Sequence, residues 1–228
     1  MVRLSRIIVR SLCGFSMPGK VCFVIPMGIL ILLTWTTLGS YKSIKIKVDP
    51  ARSYPFRVTQ GYVVIAADPY ETSDKIKTAF DLKDLDKLGI VPVNVIISNE
   101  GEDLILVSGQ DVNLLDSKNH SLQSLAVEDV VQALVTKGKS PSTHGPNPSS
   151  PIPLPRRDLR GDAFEVGMDL NNKALKEVRI APKTTASGFV FFRLPDHQMR
   201  LAGHKLYIPQ VKNLKTKEDL LFFEIEFK

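Results

Sequence analysis

Apolar positions between residues 60 and 228 recur mostly at every second residue, which is the spacing of β-strands. The clearest case is IVPVNVIISN, residues 90–99, in which Val91, Val93, Val95 and Ile97 fall on one face. The turn NEG and the run EDLILVS follow, and this order predicts a β-hairpin because Asn and Gly tolerate the positive φ of such turns. Further strands are predicted in GYVVIAADPY, VNLLD, EVRIAP, SGFVFFRL, HKLYIPQV and DLLFFEIEF.

Helical spacing occurs between these strands. In SLAVEDVVQALVTKGK, Val127, Val130, Val131 and Leu134 recur at i, i+3, i+4 and i+7, which predicts an amphipathic helix. A second, weaker helix is predicted in DAFEVGMDLNNKALK, where Gly167 and an Asn pair lower the helix propensity.

A proline-rich stretch, SPSTHGPNPSSPIPLPRR, separates the earlier strands from the later ones. Neither the strands before this stretch nor those after it are numerous enough to enclose a core alone. We therefore predict a single domain over 60–228. Its fold class is mainly β, an Ig-like antiparallel β-sandwich of about eight strands with one or two inserted helices. The helical and Pro-rich insertion is predicted at about 124–175.

The apolar half of the proline-rich stretch, PIPLPRR, supplies the interaction candidates. Its prolines alternate, which differs from the PxxP spacing of common docking peptides. We therefore predict that it lies extended along the sandwich. The candidates are Ile152, Leu154, Arg156 and Arg157.

The N-terminal region contains VCFVIPMGILILLTWTTLG, residues 21–39, which carries no charge and follows Lys20. This length predicts an N-terminal transmembrane or signal helix within 1–40, and a tether over 41–59. A cleaved signal peptide and an uncleaved anchor both remain open, as do starts at Met1 and Met17. The basic residues before the run predict that the body lies on the extracytoplasmic side, in the periplasm or at the cell surface.

The net charge of +6 is concentrated at the N-terminus. Four of the 30 basic residues and none of the 24 acidic ones lie in residues 1–39, which leaves 26 against 24 in the rest. This nearly balanced body argues against a nucleic-acid partner. Both cysteines, Cys13 and Cys22, also lie in the N-terminal region, so the body has no disulfide framework or thiolate metal site.

Catalytic and cofactor motifs are missing from the sequence, which contains no G-x-S-x-G, phosphate loop or dinucleotide glycine pattern. We therefore predict a protein that is not an enzyme and takes no cofactor or metal. The alternative is an envelope enzyme or small-ligand binder with a pocket between the sandwich and the helix at 125–136. His197, His204 and Asp196 are its candidate polar groups.

Several strand and turn patterns carry a family resemblance: VVIAADPY, LGIVPVNVIISNEG, PIPLPRR, PKTTASGFVFFRL, LYIPQVKN and LLFFEIEF. In these the body resembles an uncharacterised group of bacterial exported proteins with an Ig-like β-sandwich. The resemblance implies a fold and transfers no catalytic residue. The sequence thus predicts a non-enzymatic exported or tethered domain for protein–protein interaction or envelope scaffolding. Its expected partners are the membrane, through residues 21–39, and an envelope protein.

Overall fold

The computed structural model describes residues 41–82, 84–136, 162–220 and 222–228. Three α-helices lie in these ranges: α1 Ser73–Ala79, α2 Val127–Val135 and α3 Asp162–Lys173. The strands of the same ranges are β1 Phe56–Gln60, β2 Val63–Pro69, β3 Ile90–Asn99, β4 Ile105–Val107, β5 Asn113–Leu115, β6 Ser121–Gln123, β7 Val178–Ile180, β8 Thr184–Arg193, β9 Lys205–Ile208, β10 Val211–Asn213, β11 Asp219–Leu220 and β12 Phe223–Glu226.

The fold is mainly β, as predicted, and its strands form three antiparallel sheets of four. Sheet 1 has the order β1-β2-β3-β8, sheet 2 the order β11-β10-β4-β7, and sheet 3 the order β12-β9-β5-β6. The described ranges hold twelve strands instead of the expected eight, because two predicted runs are interrupted and because β1 and β6 form where no strand was predicted. HKLYIPQV divides into β9 and β10 at Pro209, and DLLFFEIEF divides into β11 and β12 before Phe223.

One apolar core joins the three sheets. The alternating residues Val91, Val93, Val95 and Ile97 all lie in it, which confirms the face predicted for β3. Side chains of sheets 2 and 3 meet them there, among them Ile105, Val107, Leu114, Leu206, Val211 and Ile225. Burial of this inner face stabilises the packing of sheet 1 against the other two sheets, since each Å² of apolar area removed from water contributes about 25 cal/mol.

The opposite face of sheet 1 is covered by the helices at β8 and by residues around Ala51 at β2 and β3, which explains why β8 is apolar on both faces. Phe189 and Phe191 project from β8 into a second core, where the Phe80 ring lies 4.8 Å from that of Phe189 in an edge-to-face contact. β8 ends the order of sheet 1, and isolated bridges at Leu125 and Ala174 lie along its outer side.

The predicted hairpin of 90–99 with EDLILVS is wrong. β3 pairs with β2 and β8, whereas β4 pairs with β10 and β7 in sheet 2. The turn between them redirects the chain because the buried Asn99 amide donates to the carbonyls of Asp103, Ile180 and Ala181. These bonds hold the end of β3 next to the end of β7, so the chain passes from sheet 1 into sheet 2.

Much of the predicted tether, 41–59, belongs to the folded domain. A 3-10 turn spans Ala51–Ser53, and β1 begins at Phe56 and pairs with β2. Ala51 is buried, and its N–H donates to the Ser98 hydroxyl at 2.9 Å. The domain therefore begins earlier than residue 60, and Ser40–Lys228 form one compact unit.

Helices α2 and α3 lie in the predicted insertion, whereas α1 falls where no helix was predicted. α1 has seven residues, and Thr72 caps it by accepting a hydrogen bond from the Lys75 N–H at 3.3 Å. After α1 the connection ends at Gly89, whose φ of 64° is left-handed, a conformation that glycine adopts without steric cost.

The predicted N-terminal helix and the proline-rich interaction segment lie outside the described residues. In the part of the chain that the structure does describe, no helix combines the length and apolarity needed to cross a bilayer.

Candidate ligand-binding site

Of the candidate polar groups, the Asp196 side chain is not among those that the structure describes. His197 lies beside Gly89, and the main chain of His204 bonds to Leu201 and Phe227 instead. Neither histidine lines the two cavities described below. No cluster of three metal-ligating side chains occurs within the described ranges. Ile152, Leu154, Arg156 and Arg157 lie outside those ranges.

A cavity of about 450 Å³, the helix pocket, lies where the alternative interpretation predicted one. Its walls come from the start of α2, the end of α3 and the outer edge of β8, with Phe189 and Phe191 on the sheet side. Leu175 forms another part of the wall, and its N–H donates to the Phe189 carbonyl at 2.8 Å.

A larger cavity lies where neighbouring strands of sheets 2 and 3 are interrupted at the same level. Pairing runs from Ile208 with Phe223 to Val211 with Leu220, and it skips Pro209 and Gln210 between them. Proline has no N–H to donate to a neighbouring strand, so this strand breaks there. The adjacent strand breaks between β4 and β5, over residues 108–112.

This cavity, the polar pocket, has a volume of about 820 Å³ and shares Gln110 and Ser124 with the helix pocket. Its size lies within the range of small-ligand sites, but its lining is far more polar than usual. The lining consists of Gln110, Asp111, Asn113, Gln123, Ser124, Pro209, Gln210, Asp219, Leu220 and Phe222.

Primary amides dominate the polar pocket, and most have free hydrogen-bonding groups. The side chains of Gln110, Gln123 and Gln210 have no hydrogen-bond partner within the described part of the chain. Asn113 Nδ2 donates one bond, at 3.2 Å, to the Asp111 carbonyl. Each amide offers two N–H donors and one carbonyl acceptor, so the wall can both donate to and accept from a ligand.

An aromatic surface lies at the lip of the polar pocket. Phe222 is 46% exposed, and its ring centroid lies 5.6 Å from that of Tyr207. Its carbonyl accepts a hydrogen bond from Gln60 Nε2 at 2.8 Å, which holds the backbone in place. Tyr207 stands directly opposite Asn113 in the sheet, so the ring pair and the amides share one face.

The charged side chains that line the polar pocket are two carboxylates, Asp111 and Asp219. Lys212 lies 3.8 Å from Asp219 and offsets part of its charge. The wall thus disfavours anions and favours neutral ligands that bring hydroxyl or amide donors.

Sequence reasoning missed the polar pocket because its residues are dispersed over four segments, each polar and unremarkable alone. The available signal was the proline within HKLYIPQV, which marks a broken strand. That signal locates one wall and says nothing about what faces it.

A partly buried charge cluster, the latch (Tyr41, Ser43, Asp169 and Lys173), fixes the N-terminal end of the domain to α3. The hydroxyls of Tyr41 and Ser43 both donate to Asp169, the former at 2.6 Å. Lys173 Nζ donates to Asp169 at 2.6 Å and to the Ala79 carbonyl at 2.7 Å. The segment after Tyr41 is therefore packed on the domain.

The contacts within the latch shift the pKa values of Asp169 and Tyr41. Burial alone would raise the pKa of Asp169, but hydrogen bonds from Lys173, Ser43 and Tyr41 outweigh it and lower this pKa. Burial, followed by the hydrogen bond to Asp169, raises the pKa of the Tyr41 hydroxyl well above its ordinary value.

The lowered pKa of Asp169 predicts an acid-sensitive latch. Because the folded-state pKa lies below the unfolded value of about 3.9, its stabilisation is full above that value and is lost as pH falls through the folded pKa. We expect the unfolding free energy, measured with urea between pH 7 and 2.5, to fall less steeply in Asp169→Asn than in the wild-type chain. Equal slopes would contradict this prediction.

No family model matches this sequence, and no curated protein is similar to it. Among solved structures, the chain is similar to the crystal structure of the yjhA protein from Bacillus subtilis. The two share 11% sequence identity with a TM-score of 0.42, over 77% of this chain and 98% of that chain.

Proposed function

We propose that this protein is a non-enzymatic binding domain of the cell envelope, exported or tethered through residues 21–39. Its body would be an Ig-like β-sandwich, and its role would be to hold an envelope component, either as an interaction module or as a scaffold. The polar pocket would be the binding surface.

The observation that carries this proposal is the amide-rich lining of the polar pocket. Primary amides hold ligands by hydrogen bonds and neither gain nor lose protons near neutral pH, so they suit recognition better than acid–base catalysis. The three unpartnered glutamines would exchange hydration water for ligand groups without breaking any bond within the described domain.

The extracytoplasmic location rests on the sequence. Nineteen uncharged residues at 21–39, preceded by basic ones, are typical of a segment that delivers or anchors a protein. The resemblance to bacterial exported proteins and the thiol-free body agree with it. We expect no nucleic-acid partner, since the net charge of the body is close to zero.

Reporter fusions test the location. The full chain would be expressed in a bacterium with alkaline phosphatase, which is active only outside the cytoplasm, joined after Lys228. We expect high phosphatase activity that is lost in the double variant Leu30→Arg, Leu32→Arg and kept in the control Val9→Arg. An inactive wild-type fusion at normal expression would contradict the proposed location.

A second candidate function, an envelope enzyme or small-ligand binder, is favoured by the helix pocket alone. Its cavity of about 450 Å³ lies between α2, α3 and β8, and its walls combine apolar side chains such as Phe189 and Phe191 with polar ones, which suits a small organic ligand. Binding or turnover of such a ligand that Ala174→Phe abolishes and Phe222→Ala leaves intact would favour this function over the first.

A further inference from the structure

The polar pocket combines free amides, carboxylates and an exposed aromatic ring, and these groups match the chemistry of a sugar. We infer that it binds a neutral, hydroxyl-rich glycan. This inference rests on the proposed role as a binding domain and adds the class of ligand.

The polar edge of a sugar ring presents neighbouring hydroxyls that both donate and accept hydrogen bonds. Gln110, Gln123 and Gln210 supply unused amide donors and carbonyl acceptors around the pocket. The carboxylates of Asp111 and Asp219 accept from hydroxyls, since an ionised carboxylate has two acceptor oxygens. The lining can therefore accept a hydrogen bond from a sugar O–H and donate one to its oxygen.

The apolar face of a sugar ring carries C–H groups with partial positive charge, which pack on the negative face of an aromatic ring. Phe222 offers such a face at the lip of the pocket, and its contact with Tyr207 and the Gln60 bond to its carbonyl hold it there. It is one of a few large apolar side chains that are exposed within the described ranges, the others being Leu104, Phe164 and Met168.

The charges of the lining restrict the class of glycan. The lining residues of the described chain include the carboxylates of Asp111 and Asp219 and no Lys or Arg. Lys212 offsets only part of the Asp219 charge, so uronic-acid and sulfated sugars would meet net repulsion. The same charges argue against phosphate-bearing ligands. The geometry thus selects neutral sugars over anionic ones.

Calorimetric titration of the full chain tests this inference. The protein would be kept in a detergent without a sugar headgroup, and the probes would be maltohexaose, cellohexaose, chitohexaose and, as the anionic comparison, hexagalacturonate. The corresponding monosaccharides form a second arm that separates recognition of a chain from recognition of a free sugar. We expect at least one neutral probe to bind and the anionic one to fail.

Matched variants assign the binding to the pocket. Phe222→Ala and Gln123→Ala are each expected to weaken binding about tenfold or more, through lost stacking and lost hydrogen bonds respectively. Phe164→Ala, at an even more exposed phenylalanine on α3, and Gln132→Ala on α2 are expected to leave binding unchanged. If Phe222→Ala fails to fold, Gln123→Ala alone carries the comparison.

Three outcomes would overturn the inference: no neutral probe binds at millimolar concentration, binding is unaffected by both pocket variants, or the anionic sugar binds best. A chain that is exported but binds no probe refutes the glycan and leaves the location intact. A chain that binds a neutral probe but stays in the cytoplasm refutes the proposed location and leaves the glycan inference intact.

Discussion

Replacing Asp169 with alanine is expected to lower the free energy of unfolding by about 3–5 kcal/mol, the usual cost of breaking a buried ion pair. The side chains of Asp169 and Lys173 are 6% and 13% exposed, so the substitution leaves a nearly buried ammonium without its counter-charge. The Tyr41 and Ser43 hydroxyls lose their acceptor at the same time. Urea unfolding followed by far-UV circular dichroism measures the change.

The same substitution is expected to release the segment that begins at Tyr41. Lys45 and Lys47 are exposed on it while Ile44 and Ile46 are partly covered, so trypsin gains access to the backbone once the latch opens. Faster cleavage within 41–50, located by mass spectrometry, would accompany the loss of stability.

A surface pair is the control for Asp169. Asp74 pairs with Lys77 at 3.1 Å, but its side chain is 96% exposed, so Asp74→Ala is expected to change stability by less than about 0.5 kcal/mol. Replacing both buried partners, as in Asp169→Leu with Lys173→Met, should recover part of the loss because no lone charge remains. If Asp169→Ala were as mild as Asp74→Ala, the latch would be energetically neutral.

Patterns within one element were the most predictable part of the fold. The alternation from Val91 to Ile97 and the helical spacing from Val127 to Leu134 each depend on which face of a single element meets the core. A short element carries less information. The seven residues of α1 make only two turns, and the pattern of Ile76 with Ala79 and Phe80 is too brief to distinguish from a loop.

Pairing between strands was less predictable, because it depends on residues far away in the chain. The turn after β3 contains the residues of a hairpin, yet Asn99 bonds with carbonyls some 80 positions later and sends β4 into another sheet. Local turn chemistry allows both outcomes, and the contact with Ile180 selects one of them.

The latch and the polar pocket illustrate the same limit for functional groups. Asp169 and Lys173, four residues apart on a helix, have the pattern of an ordinary solvated surface pair. In the structure Asp169 accepts hydrogen bonds from Tyr41 and Ser43, and Lys173 donates to the Ala79 carbonyl, so little of either side chain is exposed. The segment that begins at Tyr41 looked like a tether in the sequence. The glutamines of the pocket likewise meet only after three strands break at one level.

Gly188→Ala is the second substitution for which we expect a large loss, about 3 kcal/mol, the upper range for overpacking a tight site. A Cβ on Gly188 would lie 2.6 Å from Leu175 Cα and 2.7 Å from Leu175 N. These are backbone atoms, and Leu175 N also donates to the Phe189 carbonyl, so they cannot move aside without breaking that bond.

Gly109 restrains Leu175 as well, since a Cβ there would lie 2.1 Å from the Leu175 carbonyl oxygen. The chain after α3 is thus fitted closely against both Gly109 and Gly188, and it forms part of the helix pocket. We expect Gly188→Ala to deform this cavity while leaving the polar pocket and any sugar binding nearly unchanged. The free energy of unfolding and the glycan titration, measured on the same variant, separate the two effects.

Gly167→Ala provides a control in which the same chemical change should have the opposite sign. Gly167 lies inside α3 with ordinary helical φ, and its nearest neighbour is Val131 Cγ2 at 3.6 Å, so a methyl group fits. Alanine restricts the unfolded chain and favours the helix, and we expect a gain of about 0.5–1 kcal/mol. If both alanine variants shifted stability in the same direction, close packing around Leu175 would not be what requires glycine at position 188.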